Sequence, residues 1–211
     1  MKNYLLILLL AGSIAITIPS EAQLVAGFKG GINYAGLSNH NGGKRISGHG
    51  GIFIHSAFNA KWHIQSELLY SNEGYKYSII ETIDAGFQGF QETERTVSIS
   101  NVSVPVMFQY FVSPKYFIEA GPQLSITISA TDKAASEKLN VKRSLANTQF
   151  GLNAGMGLMI SKQAEVYVRY CFGLTDLTLF DDNIDQSRVL QTGILFRLNK
   201  KESKRDQASN R

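Results

Sequence analysis

The chain has almost no cysteine from which to form covalent cross-links. Its 211 residues include a single cysteine, Cys171, so no disulfide can form within the chain. That excludes the small, disulfide-stapled class of secreted proteins. Cys171 lies inside a segment of alternating apolar and polar residues, where a packed thiol is expected rather than a nucleophile.

Long apolar runs are also missing beyond the N-terminus. Lys2 precedes an apolar stretch over residues 4–18, and Ser20-Glu21-Ala22 places small residues at the −3 and −1 positions of a cleavage site. We predict a signal peptide over residues 1–22. A membrane anchor is the alternative, but the run is shorter than the roughly 20 residues that a spanning helix needs. The residue after the predicted cleavage site is Gln23 and not the cysteine that would carry a lipid anchor, and no later stretch could form a spanning helix.

The chain also has little net charge outside its C-terminal tail. The formal net charge is +4, and the tail 199–211 carries five basic residues against two acidic ones, a net charge of +3. The rest of the chain is therefore close to neutral, which argues against a nucleic acid partner. We predict that the tail is a solvated, disordered end.

What the chain does have is eight segments in which apolar and polar residues alternate. In residues 116–129, Ile118, Leu124 and Ile126 belong to one face, while Glu119 and Gln123 belong to the other. Successive side chains of a strand point to opposite faces, so each segment is a strand with one apolar and one polar face. The predicted strands cover residues 24–34, 48–59, 62–73, 97–112, 115–129, 147–160, 164–175 and 188–198.

The connections between these strands alternate between short and long. Hairpin-length turns at 60–61, 113–114 and 161–163 alternate with long connections at 35–47, 74–96, 130–146 and 176–187. In an up-and-down barrel this places all short turns at one rim and all long loops at the other, as in outer-membrane barrels. We predict an all-β fold: an eight-stranded antiparallel up-and-down transmembrane barrel over residues 23–198.

The two faces of the strands agree with a membrane barrel. The apolar face, predicted to meet lipid, includes no charge among the residues assigned to it, and Trp62, Tyr110 and Tyr116 lie beside the short turns as an aromatic girdle. The polar face holds three acidic and three basic side chains: Lys29, Glu67, Glu119, Glu165, Arg169 and Arg197. Matched charges in a narrow interior favour a salt-bridged plug over an open channel.

Two prolines interrupt this pattern. Pro105 and Pro122 cannot donate to a strand ladder, so we expect a bulge or a rim at those points.

Few residues suggest chemistry. His55 and His63 face inward across the turn at 60–61, with Glu67 further along, and could form a metal site or an acid–base pair. The alternative is ordinary polar lining, which we favour. We assign no catalytic, cofactor-binding or metal-binding residue.

The second long connection contains four aromatics: Tyr75, Tyr77, Phe87 and Phe90. Exposed aromatics suggest a contact surface on this loop. Alternatively, strands three and four continue above the membrane and these side chains pack on each other.

Four stretches together resemble one known family. They are Gln65-Ser-Glu-Leu-Leu-Tyr70 followed by Glu73-Gly74, Val104-Pro105-Val106, Phe117-Ile-Glu-Ala-Gly-Pro-Gln-Leu124, and Arg169-Tyr170-x-x-Gly173-Leu174-Thr175. With the Ala22-Gln23 junction, they resemble the Bacteroidetes outer-membrane β-barrel family called PorT-like or "porin family". The resemblance implies an integral outer-membrane barrel that meets outer-membrane lipid and the barrel-insertion machinery, and links to envelope or secretion-system proteins.

The expected function is therefore a non-enzymatic barrel whose long extracellular loops serve recognition, adhesion or envelope assembly. Two alternatives stay open. One is an enzyme that modifies outer-membrane lipid. The other is a soluble lipocalin-like barrel, in which the apolar faces would line a ligand cavity instead.

Overall fold

The computed structural model describes residues 24–38, 43–84, 88–133, 138–142, 145–177 and 185–198. The expected signal peptide, the basic tail and Phe87 lie outside these ranges. Within them, no helix is long and apolar enough to cross a membrane.

The described chain is built from β-strands. In chain order they are β1 (Val25–Leu37), β2 (Arg45–Ala57), β3 (Trp62–Asp84), β4 (Gln88–Phe111), β5 (Tyr116–Lys133), β6 (Lys138–Asn140), β7 (Thr148–Met159), β8 (Ala164–Gly173) and β9 (Ser187–Arg197). All except β6 form a closed antiparallel ring in which each strand pairs with its neighbours along the chain and β9 pairs with β1. The short β6 pairs only with the end of β5. The prediction of an eight-stranded up-and-down barrel is confirmed.

Three short turns share one local design. Asn59, Ser113 and Ser161 each accept, through a side-chain oxygen, hydrogen bonds from the main-chain N–H groups two and three residues later. Such bonds stabilise tight turns from within the chain. The three turns join β2 to β3, β4 to β5 and β7 to β8, and together they form the short-turn rim.

The barrel wall is polar inside and apolar outside. Lys29, Gln65, Glu119 and Arg169 are buried in the lumen, whereas side chains such as Phe28 on the alternate positions face outward. A soluble barrel that binds an apolar ligand needs the opposite arrangement. The lipocalin alternative is therefore wrong.

Two strands are longer than the alternation indicated. The sequence predicts a long connection over residues 74–96. In the structure this region instead continues the ladder between β3 and β4 to the pair Asp84–Gln88. The structure thus supports the second of the two interpretations, in which strands three and four extend past the barrel. These strands have 23 and 24 residues, against 10 for β8.

The prediction of a bulge or a rim at the prolines is wrong. Pairing passes from Ser66–Val106 to Leu69–Ser103 with an unchanged register, so Pro105 interrupts the β3–β4 ladder without a bulge. Pro122 likewise lies at a gap between β4 and β5, while its pair with Leu152 on β7 persists. Each proline thus loses pairing on one side only.

The single register shift between β4 and β5 lies elsewhere, where Ser100 pairs with Ser129 but Asn101 pairs with Thr127. Ile128 is therefore an extra residue, and both it and Ser129 are exposed. The alternation over residues 116–129 places Ser129 on the same face as Glu119 and Gln123. That prediction is wrong, because a bulge reverses the alternation beyond it.

Candidate functional site

The charged centre of the lumen is Glu67. Its carboxylate accepts hydrogen bonds from the Lys29 ammonium at 2.9 and 3.0 Å, and from two guanidinium nitrogens of Arg169 at 2.8 and 2.9 Å. The three side chains come from β1, β3 and β8, and they are almost completely excluded from solvent. A bidentate arginine pair of this kind fixes both partners in one geometry.

Arg169 joins this centre to a second carboxylate. Its Nε donates to Glu119 at 2.8 Å, and the Gln109 amide donates to the same carboxylate at 3.1 Å. The Gln65 amide donates to Glu67 at 2.8 Å. The oxygens of both carboxylates are therefore used by cations or amides, as buried charge requires.

The remaining two predicted charges form a separate pair nearer the short-turn rim, where Arg197 donates to Glu165 at 2.6 Å. The structure thus divides the six predicted interior charges into a group of four and a group of two. His55 and His63 also lie in this lower layer, with His55 Nε2 and His63 Nδ1 3.0 Å apart. Among the described residues, no group of three or more His, Cys, Asp and Glu side chains could hold a metal ion.

Two network residues were not singled out from the sequence. The Lys29 ammonium lies 3.8 Å from the centre of the Tyr167 ring, a cation–π contact, and the Tyr167 hydroxyl is hydrogen-bonded to His49. Tyr167 alternates with Glu165 and Arg169 on β8, so the same alternation would have placed it inside. His49 shares the parity of His55 on β2 in the same way.

The polar chain continues from there toward the long-loop side. His49 contacts the Asn33 side chain at 2.6 Å, and Asn33 donates to Ser71 at 2.9 Å. Ser71 donates to Glu73 at 2.9 Å, and Asn101 donates to the same carboxylate at 3.3 Å. Hydrogen bonds and ring contacts thus link Glu119 to Asn101 along most of the lumen.

An apolar cluster closes the barrel above this network. Five buried residues form the cluster, which we call the loop-side cap: Val97, Ile99, Ala130, Leu145 and Leu177. The first three come from the loop-side parts of β4 and β5, and the other two come from long connections. Main-chain bonds hold those connections in place, with Ala146 N–H donating to the Leu177 carbonyl at 2.9 Å.

Two of the predicted loop aromatics support this cap. Tyr75 and Tyr77 are partly buried and pack against it, and burial raises the pKa of the Tyr75 phenol to about 12. Tyr77 donates to Asp132 at 2.6 Å, and Arg95 donates to the same carboxylate at 3.2 Å. The backbone of Phe90 pairs with Thr82 in the β3–β4 hairpin, and Phe87 lies outside the described residues.

Two small cavities adjoin the network in the described part of the chain. A cavity of about 10 Å³ is lined by cap residues such as Leu177 together with Glu73 and Asn101 of the network. A second cavity of about 20 Å³ lies beside Gln123, Gln149 and Asn153. Each has room for about one water molecule. The geometry thus suits a filled, rigid plug.

Comparison with known families identifies the architecture. A family model described as outer membrane protein beta-barrel domain matches residues 20–179. The chain belongs to this family. An outer membrane protein beta-barrel lies in the bacterial outer membrane, so the apolar outer wall described above meets lipid.

Several solved outer-membrane barrels are similar to this chain. Neisserial surface protein A is 11% identical with a TM-score of 0.51, and the match covers 85% of this chain and 100% of that one. Ail, the attachment invasion locus protein of Yersinia pestis, is 9% identical with a TM-score of 0.47, covering 84% and 99%. Outer Membrane Protein W of E. coli is 10% identical with a TM-score of 0.37, covering 84% and 100%. The curated proteins contain no match to this chain.

Proposed function

We propose that this outer-membrane β-barrel is a non-conducting, non-enzymatic anchor that presents its extended hairpin and long loops at the cell surface for recognition, adhesion or assembly of the envelope. The observation that carries this proposal is the contrast between a filled lumen and the long hairpin of β3 and β4. A membrane strand needs about 9–11 residues. At about 3.3 Å per residue, residues 76–84 alone add roughly 30 Å of strand beyond the last bridge to the β2 side, Lys44–Tyr75.

The orientation follows the rule for bacterial barrels. Short turns lie in the periplasm and long loops outside, so the hairpin would project from the cell. Cleavage after Ala22 and delivery to the barrel-insertion machinery belong to the same proposal. The resemblance to PorT-like Bacteroidetes barrels favours a partner among envelope or secretion-system proteins.

The state of the lumen carboxylates supports a non-enzymatic role. Glu67 is shared by two cations, and a carboxylate stabilised in this way is a weak general base, while Glu165 is held in an ion pair with Arg197. These groups also point into a closed lumen, whereas a lipid substrate would reach the outer wall.

Among the aromatics, Phe87 and Phe90 remain in the proposed contact surface. Tyr75 and Tyr77 are instead assigned to the support of the loop-side cap, because they pack against it.

The test removes the hairpin and keeps the barrel. Tyr77 and Arg95 are register partners, so an Asn-Gly turn can replace residues 78–94 between them and preserve both contacts to Asp132. If the hairpin serves adhesion, we expect cells with this variant to lose adherence to immobilised host glycans and matrix proteins. If it serves envelope assembly, we expect the variant to lose the cross-links that the intact protein forms with envelope proteins. Heat-modifiable migration on gels would show that the barrel still folds.

Lys61→Gln is the matched control, because Lys61 is an exposed residue in a turn of the opposite rim. It should retain every interaction of the intact protein. Unchanged adherence and cross-linking in the hairpin-shortened variant would refute a recognition role for the hairpin.

A further inference from the structure

The outer wall of the barrel carries an apolar groove of about 490 Å³. This volume falls within the roughly 300–1,000 Å³ of pockets that hold small ligands. The side chains around the groove belong to β5, β7, β8 and β9 and to the start of the turn between β4 and β5. Those that face outward are Val112, Tyr116, Ile118, Met156, Leu158, Val166, Val168 and Thr192.

The register of the strands explains the shape of this groove. Ile118, Met156, Val168 and Thr192 are successive pairing partners across four strands, and they form one row. Tyr116, Leu158 and Val166 form a parallel row one step nearer the short turns. Phe117, Gly157 and Tyr167 lie between the rows. Phe117 and Tyr167 are buried on the lumen side and Gly157 has no side chain, so main chain forms the floor.

The groove is apolar along its length. Thr192 is the one hydroxyl-bearing side chain in the upper row, and it already donates to the Tyr167 carbonyl at 3.1 Å. Polarity appears only at the short-turn end. There, exposed Lys115 precedes Tyr116, and exposed Lys162 lies in the turn between β7 and β8. The Lys115 carbonyl accepts a bond from Met159 N–H at 2.8 Å, which holds this turn against the end of β7.

We propose that this groove binds one acyl chain of an anionic glycerophospholipid, with the lipid phosphate beside Lys115 and Lys162; that the lipid belongs to the periplasmic leaflet rests on the proposed orientation of the barrel. The surroundings of the wall are hydrocarbon, so a groove of this size is filled by a chain or leaves unmatched surface. Between apolar surfaces in lipid, association depends on van der Waals packing rather than on a hydrophobic driving force. A groove with two rows of side chains packs more surface against one chain than a smooth wall does, and the lysines attract the headgroup.

The test measures lipid retention. The protein is purified in detergent, stripped of lipid, and incubated with phosphatidylglycerol or with diacylglycerol of the same chains, then examined by native mass spectrometry. We expect one phosphatidylglycerol per barrel to survive detergent exchange, with at least tenfold less diacylglycerol. Equal retention of the two lipids would contradict the role of the lysines.

Two variants and one control locate the site. Met156→Trp fills the groove and should reduce retention about tenfold, while Lys115→Gln should reduce phosphatidylglycerol retention several-fold. Leu68→Trp adds the same bulk to an outward position on β3, away from the groove, and should retain lipid like the parent protein. All three should show heat-modifiable migration.

The proposal is overturned if the unmodified protein retains no phosphatidylglycerol, if Met156→Trp retains as much as the parent, or if Leu68→Trp loses it equally. A dimer that forms without lipid and that Met156→Trp abolishes would assign the groove to a second copy of this chain instead. None of these outcomes depends on what the extracellular hairpin binds.

Discussion

At the scale of single residues, Glu67 is the acidic side chain that connects the ion pairs of the lumen. One carboxylate neutralises part of the charge on both Lys29 and Arg169, and Arg169 in turn neutralises Glu119. Because the four side chains are buried together, removal of one leaves others without a counter-charge. Buried ion pairs are costly to break even where they add little net stability.

Glu67→Gln should therefore destabilise the barrel strongly. The amide keeps the size of the side chain but leaves two buried cations with one carboxylate, and breaking a buried pair in this way costs about 3–5 kcal/mol. The measurement is reversible urea unfolding of the protein in lipid vesicles or detergent.

Glu94→Gln is the control for that experiment. It removes one partner of the Lys76–Glu94 pair, whose side chains are 42% and 62% exposed, and an exposed pair contributes less than about 1 kcal/mol. A similar small loss for Glu67→Gln would mean that the network does not hold the lumen together.

The alternation of the sequence alone assigns all six charges to one face, because parity within a strand needs no knowledge of its neighbours. Parity does not predict which of these charges pair with each other. Lys29 and Glu67 are 38 residues apart, and Arg169 and Glu67 are 102 apart. Their contact depends on the register of three strands and the diameter of the closed ring.

At the scale of elements, strands β4 and β5 approach each other closely beside the prolines. A Cβ atom on Gly121 would lie 1.9 Å from the Val106 carbonyl oxygen, in the gap of the ladder next to Pro122. Glycine permits this approach, and main chain cannot move aside as a flexible side chain can. The gap in the ladder and the close approach at Gly121 therefore together accommodate Pro122 within the wall.

Gly121→Ala should lower the free energy of unfolding by about 1–3 kcal/mol, the usual cost of forcing extra atoms into packed structure. Gly48→Ala is the matched control, because its Cβ would have the nearest atom at 3.5 Å. Urea unfolding of both variants under the same conditions provides the comparison. Equal stabilities for the two variants would show that β4 and β5 can separate at no cost.

Element boundaries were predictable only where one face meets lipid. The eight membrane strands have that apolar face, so their alternation is clear. The sequence of residues 74–96 has no sustained apolar face, and acidic residues such as Glu81, Glu92 and Glu94 favoured a loop there. The bulge at Ile128 was not predicted from the sequence either, because a single added residue leaves no signal in composition.

At the scale of the whole molecule, the barrel has two interiors of opposite character. The lumen at membrane depth is polar and holds the six paired charges, because its outer wall already uses the apolar residues against lipid. The cap beyond the membrane is apolar inside, as in a water-soluble domain, because its surroundings are aqueous. The change of solvent along the axis thus accounts for both patterns in one chain.

These two interiors together predict that the barrel does not conduct ions. Eight strands enclose a space that side chains can fill, and here the network, the small cavities and the cap occupy it in series. Purified protein inserted into planar bilayers should produce no conductance steps, while a 16-stranded porin inserted under the same conditions should. Heat-modifiable migration of protein recovered from liposomes would establish that folded barrels were present.

The hairpin-shortened variant tests whether the hairpin itself contributes to the seal. It removes residues 78–94 but retains the lumen network and all five residues of the loop-side cap, so it too should remain silent. Steps from that variant alone would show that the removed hairpin takes part in the seal. Steps from the intact protein would contradict the plug altogether, since a packed lumen with paired charges offers ions neither a path nor a binding site.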